Sequence, residues 1–417
     1  MEEMQNEFEL AEKSKPKKSK KGRKLLWVFI TVILMVLTFF GGTIYGAYFL
    51  LNGAGESMGF NTNRVMQKLS ILEQCVNQFY YNDVKAEDLE NGVYQGFMKA
   101  LKDPYSEYYT AEDYRQLMEE DSGEYKGIGI TVIKNTSNNY TEIVTVNKGD
   151  PAYNAGIKVG DFITKVNGQD TQEMTLQEVV GLIKTADDPV QITIFRETGE
   201  MEFSVSKSTI TINTVEYSMQ DNQIGLITVS QFLENTDEMF LKAVADLEKQ
   251  GMKGLVIDLR DNGGGMLDTC INMVSRFIEK DKLIVYTETK DGKKTEYNSN
   301  SSDTLKVPVV LLVNGNTASA SEIMTGCLKD YNLATVVGTN TFGKGIVQSI
   351  MPLSDGSALK LTVSAYYTPS GVNIHKKGIA PDETIEMTDE EWKKALEDPS
   401  TDKQMKRAFE IINESNK

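Results

Sequence analysis

Histidine is almost absent from this protein: His375 is the single one among 417 residues. A serine nucleophile needs a base to take its proton, and in a Ser-His-Asp triad that base is histidine. Any such triad here would have to use His375, which lies in the turn-like stretch GVNIHKKG. We therefore expect that a hydrolytic site in this protein would use another base.

Cysteine is also scarce. The three cysteines, Cys75, Cys270 and Cys327, cannot all pair with one another, and they show no metal-ligand spacing. We expect them to be small buried apolar side chains. The net charge of −16 argues against nucleic acid as a partner of the main body. The length allows for about two or three domains.

The charge is distributed unevenly. Residues 1–24 contain eight basic residues and five Glu, a net charge of +3, so the remaining residues must hold −19 to give the total of −16. Residues 25–51 contain no charged residue. This segment is longer than the about 20 residues that a helix needs to cross a bilayer. Because basic residues stay on the cytoplasmic side, we predict a cytoplasmic basic segment at 1–24, a transmembrane helix at 25–51 and an extracytoplasmic remainder.

A cleaved signal peptide is the alternative for this segment. Its apolar region would span about 7–15 residues and end in a clear cleavage site. The apolar run here is longer, and NGAGES is a weak site, so we favour an uncleaved, single-pass anchor in the cell membrane. Whether the anchor is ever cleaved stays open.

The segment 52–120 has the pattern of helices. Apolar residues recur every three or four positions in VMQKLSILEQCVNQFYY and in LENGVYQGFMKALKD, which Asp103-Pro104 ends. A threonine cap opens TAEDYRQLMEE. We predict an N-terminal helical region here, a platform or homodimer surface without chemistry of its own.

Short strands and turns follow at 121–208, with one helix-like run, TLQEVVGLIK. The stretch Lys126-Gly127-Ile128-Gly129-Ile130 and the later AGIKVGDFITKVNG resemble a PDZ domain. The resemblance implies that the backbone at Gly127, Ile128, Gly129 and Ile130 binds a peptide carboxylate while the peptide adds as a strand. A small β-barrel that binds nothing is the alternative.

Strands and helices alternate over 209–387, which suggests a sheet with helical crossovers. Two strand-to-helix turns stand out: DNGGG after VIDLR, and NGNTASASE after VPVVLLV. Such a turn can expose a nucleophilic side chain at the end of the sheet. Its backbone N–H groups can bind an oxyanion. Residues 388–417 form a charged tail that we expect to be helical.

Ser319 and Glu322 form S-x-x-E, the pattern of a helix capping box. This motif alone favours a cap over a nucleophile at Ser319. Thr317 and Ser321 have the same structural explanation.

Lys344 lies in GTNTFGKGIVQ, which resembles a phosphate-binding loop. That loop needs a hydroxyl after its lysine and a helix beyond it, whereas Gly345 follows here and IVQSIMPL is strand-like, so we expect no nucleotide. An ordinary lysine has a pKa of about 10.4, and burial would lower that pKa and create a base. In an extended strand Gln348 would face the same way as Lys344 and could orient its amine. An exposed lysine in a glycine turn is the alternative.

Six stretches in one order, from about residue 60 to 387, resemble the carboxyl-terminal processing peptidases, also called tail-specific proteases. They are LKDPYSEYYTAEDY, the PDZ segment, VIDLRDNGGG, LVNGNTASASEI, VGTNTFGKGIVQ and LTVSAYYTPSGVNIHKKGIAPD. The resemblance implies an α/β plus β fold class: helical segment, PDZ domain and a crotonase-like α/β serine protease core at 209–387.

The resemblance also implies a serine/lysine endopeptidase without metal or other cofactor. On the family pattern Ser319 is the nucleophile, Lys344 the general base and Gln348 its support, while the N–H groups of Gly265 and Ala320 bind the oxyanion. The implied substrates are unfolded or C-terminally exposed proteins. In the family an arginine of the PDZ helix is thought to couple peptide binding to activity, and this sequence has Lys184 at that position. Lysine cannot replace arginine in a bidentate contact, so the coupling role of Lys184 is in doubt.

The predicted function is therefore a membrane-anchored, extracytoplasmic serine endopeptidase that cleaves near the C-termini of substrates captured by the PDZ domain. A catalytically inactive PDZ scaffold is the first alternative. An ATP-dependent enzyme is the second, and ATP would then protect Lys344.

Overall fold

The structure is a computed structural model that describes residues 59–197 and 199–417. The predicted basic segment 1–24 and the transmembrane helix 25–51 lie outside these residues. Within the described part of the protein, no helix is both long and apolar enough to span a membrane. The protein divides into two units, residues 1–84 and 85–417.

The described part of the first unit holds one helix, α1 (Thr62–Phe79). Asn61 caps it, because its side-chain oxygen accepts the Arg64 N–H at 2.9 Å, which satisfies one of the free donors of the first turn. The predicted helix is confirmed, but none of its residues is buried. Cys75 is exposed, so the expectation of a buried thiol is wrong there, whereas Cys270 and Cys327 are buried. The homodimer stays a prediction.

The second unit opens with two of the predicted helices and one short strand. A capping box of Thr110 and Asp113 starts the second of these helices. The strand was not expected from the sequence, because it pairs with a partner some 250 positions away, Glu107 opposite Lys360. The elements are α2 (Ala86–Lys99), β1 (Glu107–Tyr109) and α3 (Ala111–Asp121).

The PDZ segment folds around its own core of buried aliphatic side chains, including Ile143, Ile163 and Val179. Its main sheet has the order β3-β4-β5-β7-β8, so β3 is an edge strand. The elements are β2 (Glu124–Gly127), β3 (Ile130–Lys134), β4 (Thr141–Val146), α4 (Pro151–Ala155), β5 (Phe162–Val166), β6 (Gln169–Asp170), α5 (Leu176–Thr185), β7 (Val190–Arg196), β8 (Gly199–Val205) and β9 (Ser208–Thr211).

A six-stranded sheet, order β10-β11-β12-β15-β16-β19, forms the core that follows, and its strands from β11 to β19 run parallel. The predicted α/β alternation is confirmed, with helical crossovers between parallel strands. The elements are β10 (Val215–Gln220), β11 (Ile224–Val229), α6 (Thr236–Lys249), β12 (Gly254–Asp258), α7 (Leu267–Val274), β13 (Leu283–Thr289), β14 (Lys294–Asn298), β15 (Val309–Val313), α8 (Ala320–Asp330), β16 (Thr335–Gly338), β17 (Ile346–Pro352), β18 (Ala358–Tyr367) and β19 (Glu383–Thr384).

A second sheet of the core is antiparallel, with the order β1-β18-β13-β14 and β17 paired to β18. The predicted strand IVQSIMPL is confirmed as β17, so no helix follows the Lys344 loop. This is the finding that separates the loop from a phosphate-binding loop, whose phosphates bind at a helix N-terminus.

The tail is helical, as predicted, with α9 (Asp389–Glu397) and α10 (Lys403–Ser415). It packs on the core, because Ile412 of α10 fills the space that a side chain at Gly254 would occupy. Arg260, just after β12, is nearly buried and joins Asp258 to Asp402 at the start of α10. Its guanidinium also lies 4.8 Å from the ring centroid of Trp392. The tail therefore holds the end of β12, which leads into the glycine turn.

Candidate active site

Two turns meet at one end of the parallel sheet: the glycine turn after β12 and the turn before α8. Gly264 has φ +99°, and a Cβ there would lie 2.7 Å from Ser319 Cβ. Gly265 has φ +141°, and a Cβ there would lie 2.2 Å from the Phe232 carbonyl oxygen. Only glycine combines such dihedral angles with such close approach. The DNGGG sequence is thus what allows the two turns to touch.

Ser319 has an unusual backbone conformation, φ 56° and ψ −117°. Non-glycine residues rarely adopt such angles, and they persist where the surroundings fix them. Here both backbone groups are held: the N–H donates to Glu322 Oε2 at 2.9 Å, and the carbonyl accepts the Tyr366 hydroxyl at 3.0 Å. The expected capping box is confirmed for its Glu322 half: Ser319 is the N-cap of α8, and the Glu322 carboxylate accepts the Ser319 N–H.

The Glu322 carboxylate is fully buried and accepts hydrogen bonds from two parts of the protein. Besides Ser319, it binds the Thr341 hydroxyl, the Gly343 N–H at 2.8 Å and the Lys344 N–H at 2.8 Å. A buried carboxylate needs such partners, because an unpaired one is very costly. Glu322 therefore fixes the backbone of Ser319 and the backbone of Lys344 relative to each other.

The Lys344 side chain is half-buried, and its Nζ lies 4.9 Å from the centroid of the Tyr105 ring. Within the described residues the amine has neither a hydrogen bond nor an ion pair. Burial lowers the pKa of Lys344, and the charge of Lys360 lowers it further, against opposing effects of Asp103 and Glu322. Desolvation and a nearby cation both favour the neutral amine.

A chain of hydrogen bonds connects Gln348 to the turn that contains Asp103. Its Nε2 donates to Thr362 Oγ1 at 3.4 Å, and the Thr362 N–H donates to Ser106 Oγ at 3.0 Å. Ser106 in turn donates to Asp103 at 2.6 Å. The predicted bond from Lys344 to Gln348 is not among the bonds of the described residues and stays a prediction. The Gln348 oxygen accepts no other hydrogen bond from these residues.

A bulge in β17 also bears on Gln348. The pairing of β17 with β18 shifts register between Val347 and Gln348. Such bulges re-aim side chains and are frequent beside active sites. The strand therefore does not follow the simple alternation that the sequence suggested, yet Lys344 and Gln348 face the same space.

One cavity of about 260 Å³ collects these groups. Ser319, Lys344 and Gln348 line it, as do Gly265 and Ala320. Neither the Gly265 N–H nor the Ala320 N–H has an acceptor among the described residues. The structure thus brings together all five predicted groups, with two free backbone donors beside the serine. His375 is not part of this lining.

The predicted carboxylate loop of the PDZ domain lies between β2 and β3. Gly129 has φ +76°, and a Cβ there would lie 2.3 Å from Asp150. The N–H groups of Ile128 and Gly129 have no acceptor among the residues that the structure describes. Gly127 ends β2 and Ile130 begins the edge strand β3, so a peptide could add beside β3.

Lys184, in α5 of the PDZ domain, forms an ion pair with Glu119 of α3 at 3.2 Å. Its Nζ also lies 5.8 Å from the centroid of the Tyr125 ring. Leu117 and Asp121 of the same helix α3 line the cavity that contains Ser319. Lys184 therefore contacts the helix that borders the cavity, and its role in coupling stays a prediction.

The protein is similar in sequence to known proteins. Sequence models match three parts of the protein: peptidase family S41 at 223–385, a PDZ domain at 142–196 and the activating protease CtpB N-terminal domain at 52–113. A Staphylococcus aureus protein described as a CtpA-like serine protease is 37% identical over 365 residues, which span 86% of this protein and 73% of the relative. The chain belongs to peptidase family S41.

Two further comparisons differ in what they show. A Staphylococcus epidermidis protein, also described as CtpA-like, is 36% identical over 379 residues, 89% of this protein and 76% of that one. A solved structure described as a candidate S41 protease from Bacteroides fragilis has a TM-score of 0.50 and 18% identity, with 80% of this protein and 98% of that one aligned. The latter shows the fold alone. This S41 protein is a serine-type peptidase.

Sequence reasoning missed several groups close to the predicted site residues. The S-x-x-E spacing predicts Glu322 only as part of a helix cap. In the structure its carboxylate also accepts hydrogen bonds from the loop that contains Gly343 and Lys344. Tyr366 and Tyr105 lie in YYTPSG and DPYS, stretches that matched the family but led to no residue-level prediction. The signal for Tyr105 was its place directly after the helix-breaking Asp103-Pro104.

We expect Glu322→Gln to lower kcat about 100-fold with little change in KM, since misplacement of about 1 Å can cost that much. The amide would place a donor against groups that are themselves donors. Peptidase kinetics and Ser319 labelling by a fluorophosphonate would measure the effect. Glu390→Gln, an exposed carboxylate in α9, is the control. An unchanged kcat in the folded variant would refute this role.

Proposed function

We propose that this S41 peptidase is a Ser/Lys endopeptidase, anchored in the cell membrane with its catalytic part outside the cytoplasm, that cleaves proteins near their C-termini. The observation that carries the proposal is the shared cavity of Ser319, Lys344 and Gln348, with the free N–H groups of Gly265 and Ala320 beside them. Nucleophile, base and oxyanion donors are the parts that acyl transfer needs.

In the proposed mechanism, Ser319 Oγ attacks the carbonyl carbon of the scissile peptide bond while the neutral Lys344 amine takes its proton. The N–H groups of Gly265 and Ala320 stabilise the resulting oxyanion. The C–N bond then breaks, and the Lys344 ammonium gives its proton to the leaving amine. Water, with Lys344 again as base, hydrolyses the acyl-serine ester and restores the hydroxyl.

The proposed role of Gln348 is to orient the amine. Its Nε2 is engaged with Thr362, so its oxygen can accept one N–H of Lys344 and leave the lone pair aimed at Ser319. Tyr105 faces the same amine, and a ring face attracts the protonated form. Burial and Lys360 oppose this attraction.

An inactive PDZ scaffold remains the second candidate. It would need no half-buried lysine in a cavity with two unpaired N–H donors. Retention of these groups favours turnover, and the experiment on Ser319 separates the two functions.

We expect Ser319→Ala and Lys344→Ala each to abolish cleavage of casein by the full-length protein. In the wild type, cleavage should fall as the pH drops through the lowered pKa of Lys344, because the ammonium form cannot accept a proton. The control is Lys280→Ala, an exposed lysine. A pH–rate profile measures the effect, and a Ser319→Ala protein that cleaves at the wild-type rate would contradict the mechanism.

We expect the PDZ domain to bind peptides with a free C-terminal carboxylate and not their amides. In a Ser319→Ala background, Gly129→Val should abolish this binding, because its side chain would meet Asp150. Gly168→Val is a matched control, since Gly168 has a similar φ of +78° and open space. Fluorescence anisotropy measures the binding, and equal affinity for acid and amide peptides would contradict capture by this loop.

We expect deletion of residues 25–51 to release the peptidase from the membrane fraction. The uncharged run and the basic residues before it are the observations behind this. Alkaline extraction and protease digestion of intact cells would measure attachment and side. Full-length protein that washes off with alkali, or that resists external protease until lysis, would contradict the anchor or its orientation.

A further inference from the structure

Lys360 is a second lysine in the catalytic cavity. It lies in β18 opposite Ile350, two positions before Thr362, which pairs with Gln348. Because alternate residues of a strand share a face, Lys360 faces the same side as Thr362. It lines the cavity together with Ser319. None of the predicted roles uses this residue.

The Lys360 ammonium forms no ion pair with a described acidic residue: Glu107 lies opposite Lys360 on β1, but its carboxylate accepts the Tyr109 hydroxyl at 2.8 Å. Among the described residues the ammonium forms neither an ion pair nor a hydrogen bond, and its Nζ lies 5.9 Å from the centroid of the Tyr109 ring. The residue is only half-exposed. A partly desolvated cation without a partner is unfavourable, and an arriving anion would remove that cost through a charge-assisted hydrogen bond.

The other charges at this cavity are few. Asp121 also lines it and also lacks a partner among the described residues, although Lys360 acts on it electrostatically. The two therefore influence each other without forming an ion pair. Lys344 is the remaining amine of the lining, and its working form is neutral. Lys360 is thus the cation that a substrate meets beside Ser319.

We propose that Lys360 binds a carboxylate of the substrate close to the scissile bond and so helps to select which bond is cut. This inference rests on the proposed peptidase function. The carboxylate has two sources, the free C-terminus of the substrate or an Asp or Glu residue within it. The negative charge of Asp121 repels the same carboxylate. This repulsion lowers the affinity of the cavity for the carboxylate and disfavours substrates that place it near Asp121.

Lys360 could affect the rate in another way, by repelling the proton on Lys344. That effect does not depend on the substrate, so it changes the cleavage of every peptide by the same factor at a given pH. A carboxylate contact changes only the peptides that have the anion. The ratio of kcat/KM for matched peptides therefore isolates it.

The experiment uses the full-length protein and one peptide sequence in three forms: free C-terminus, C-terminal amide, and amide with an Asp in place of Asn near the scissile bond. We expect Lys360→Ala to reduce the preference of the enzyme for one of the two anionic forms over the neutral amide by about tenfold, the value of one hydrogen bond to a charged group. Lys360→Arg should keep the preference, and Asp121→Asn should increase it.

The controls separate this contact from others. Lys293→Ala, in the exposed turn of the β13–β14 hairpin, should leave every ratio unchanged. Carboxylate capture by the PDZ domain is the same in Lys360→Ala and wild type, so it cancels when their ratios are compared. A fall in the free-acid ratio identifies the C-terminus, and a fall in the Asp ratio identifies an acidic residue of the substrate.

Unchanged ratios for both forms in Lys360→Ala would overturn the inference while leaving the peptidase function intact. Failure of the wild type to cleave any of the peptides and casein would instead contradict the proposed function itself.

Discussion

The buried carboxylate of Glu322 is the constraint on which the site depends. It binds the backbone N–H groups of Ser319 and Lys344 with one oxygen, and the Gly343 N–H and Thr341 hydroxyl of the intervening loop with the other. The strained backbone of Ser319 and the loop before β17 are therefore held by the same carboxylate. A buried charge is stable only when its partners are in place. The carboxylate is therefore satisfied only when both loops are correctly packed, and this couples the positions of the two loops.

The sheets supply the frame for that contact. Parallel strands bring the glycine turn after β12 and the turn before α8 to one edge, where Gly264 and Gly265 allow them to touch. The antiparallel sheet adds Gln348 and Tyr366 from the other side. The C-terminal helices hold the end of β12 through Arg260 and Asp402, so the tail contributes to the position of the glycine turn that follows β12.

The sequence predicted the elements well where local patterns decide them. The α/β alternation, the PDZ strands and the strand after Lys344 follow from periodicity and turn residues. It failed where contacts are distant. β1 forms because its backbone pairs with β18, about 250 positions along the chain. The S-x-x-E motif predicts a helix cap but not the second loop that binds the same carboxylate. The exposed Cys75 was missed because residue type predicts only average burial.

A double-mutant cycle of Glu322→Gln and Lys344→Ala, with the rate of Ser319 acylation as readout, tests this account most directly. If the carboxylate acts by holding the base beside the nucleophile, removing both costs little more than removing Lys344 alone, because groups that act as a unit are not additive. Losses that multiply, with the double variant slower by the product of the two single effects, would contradict it.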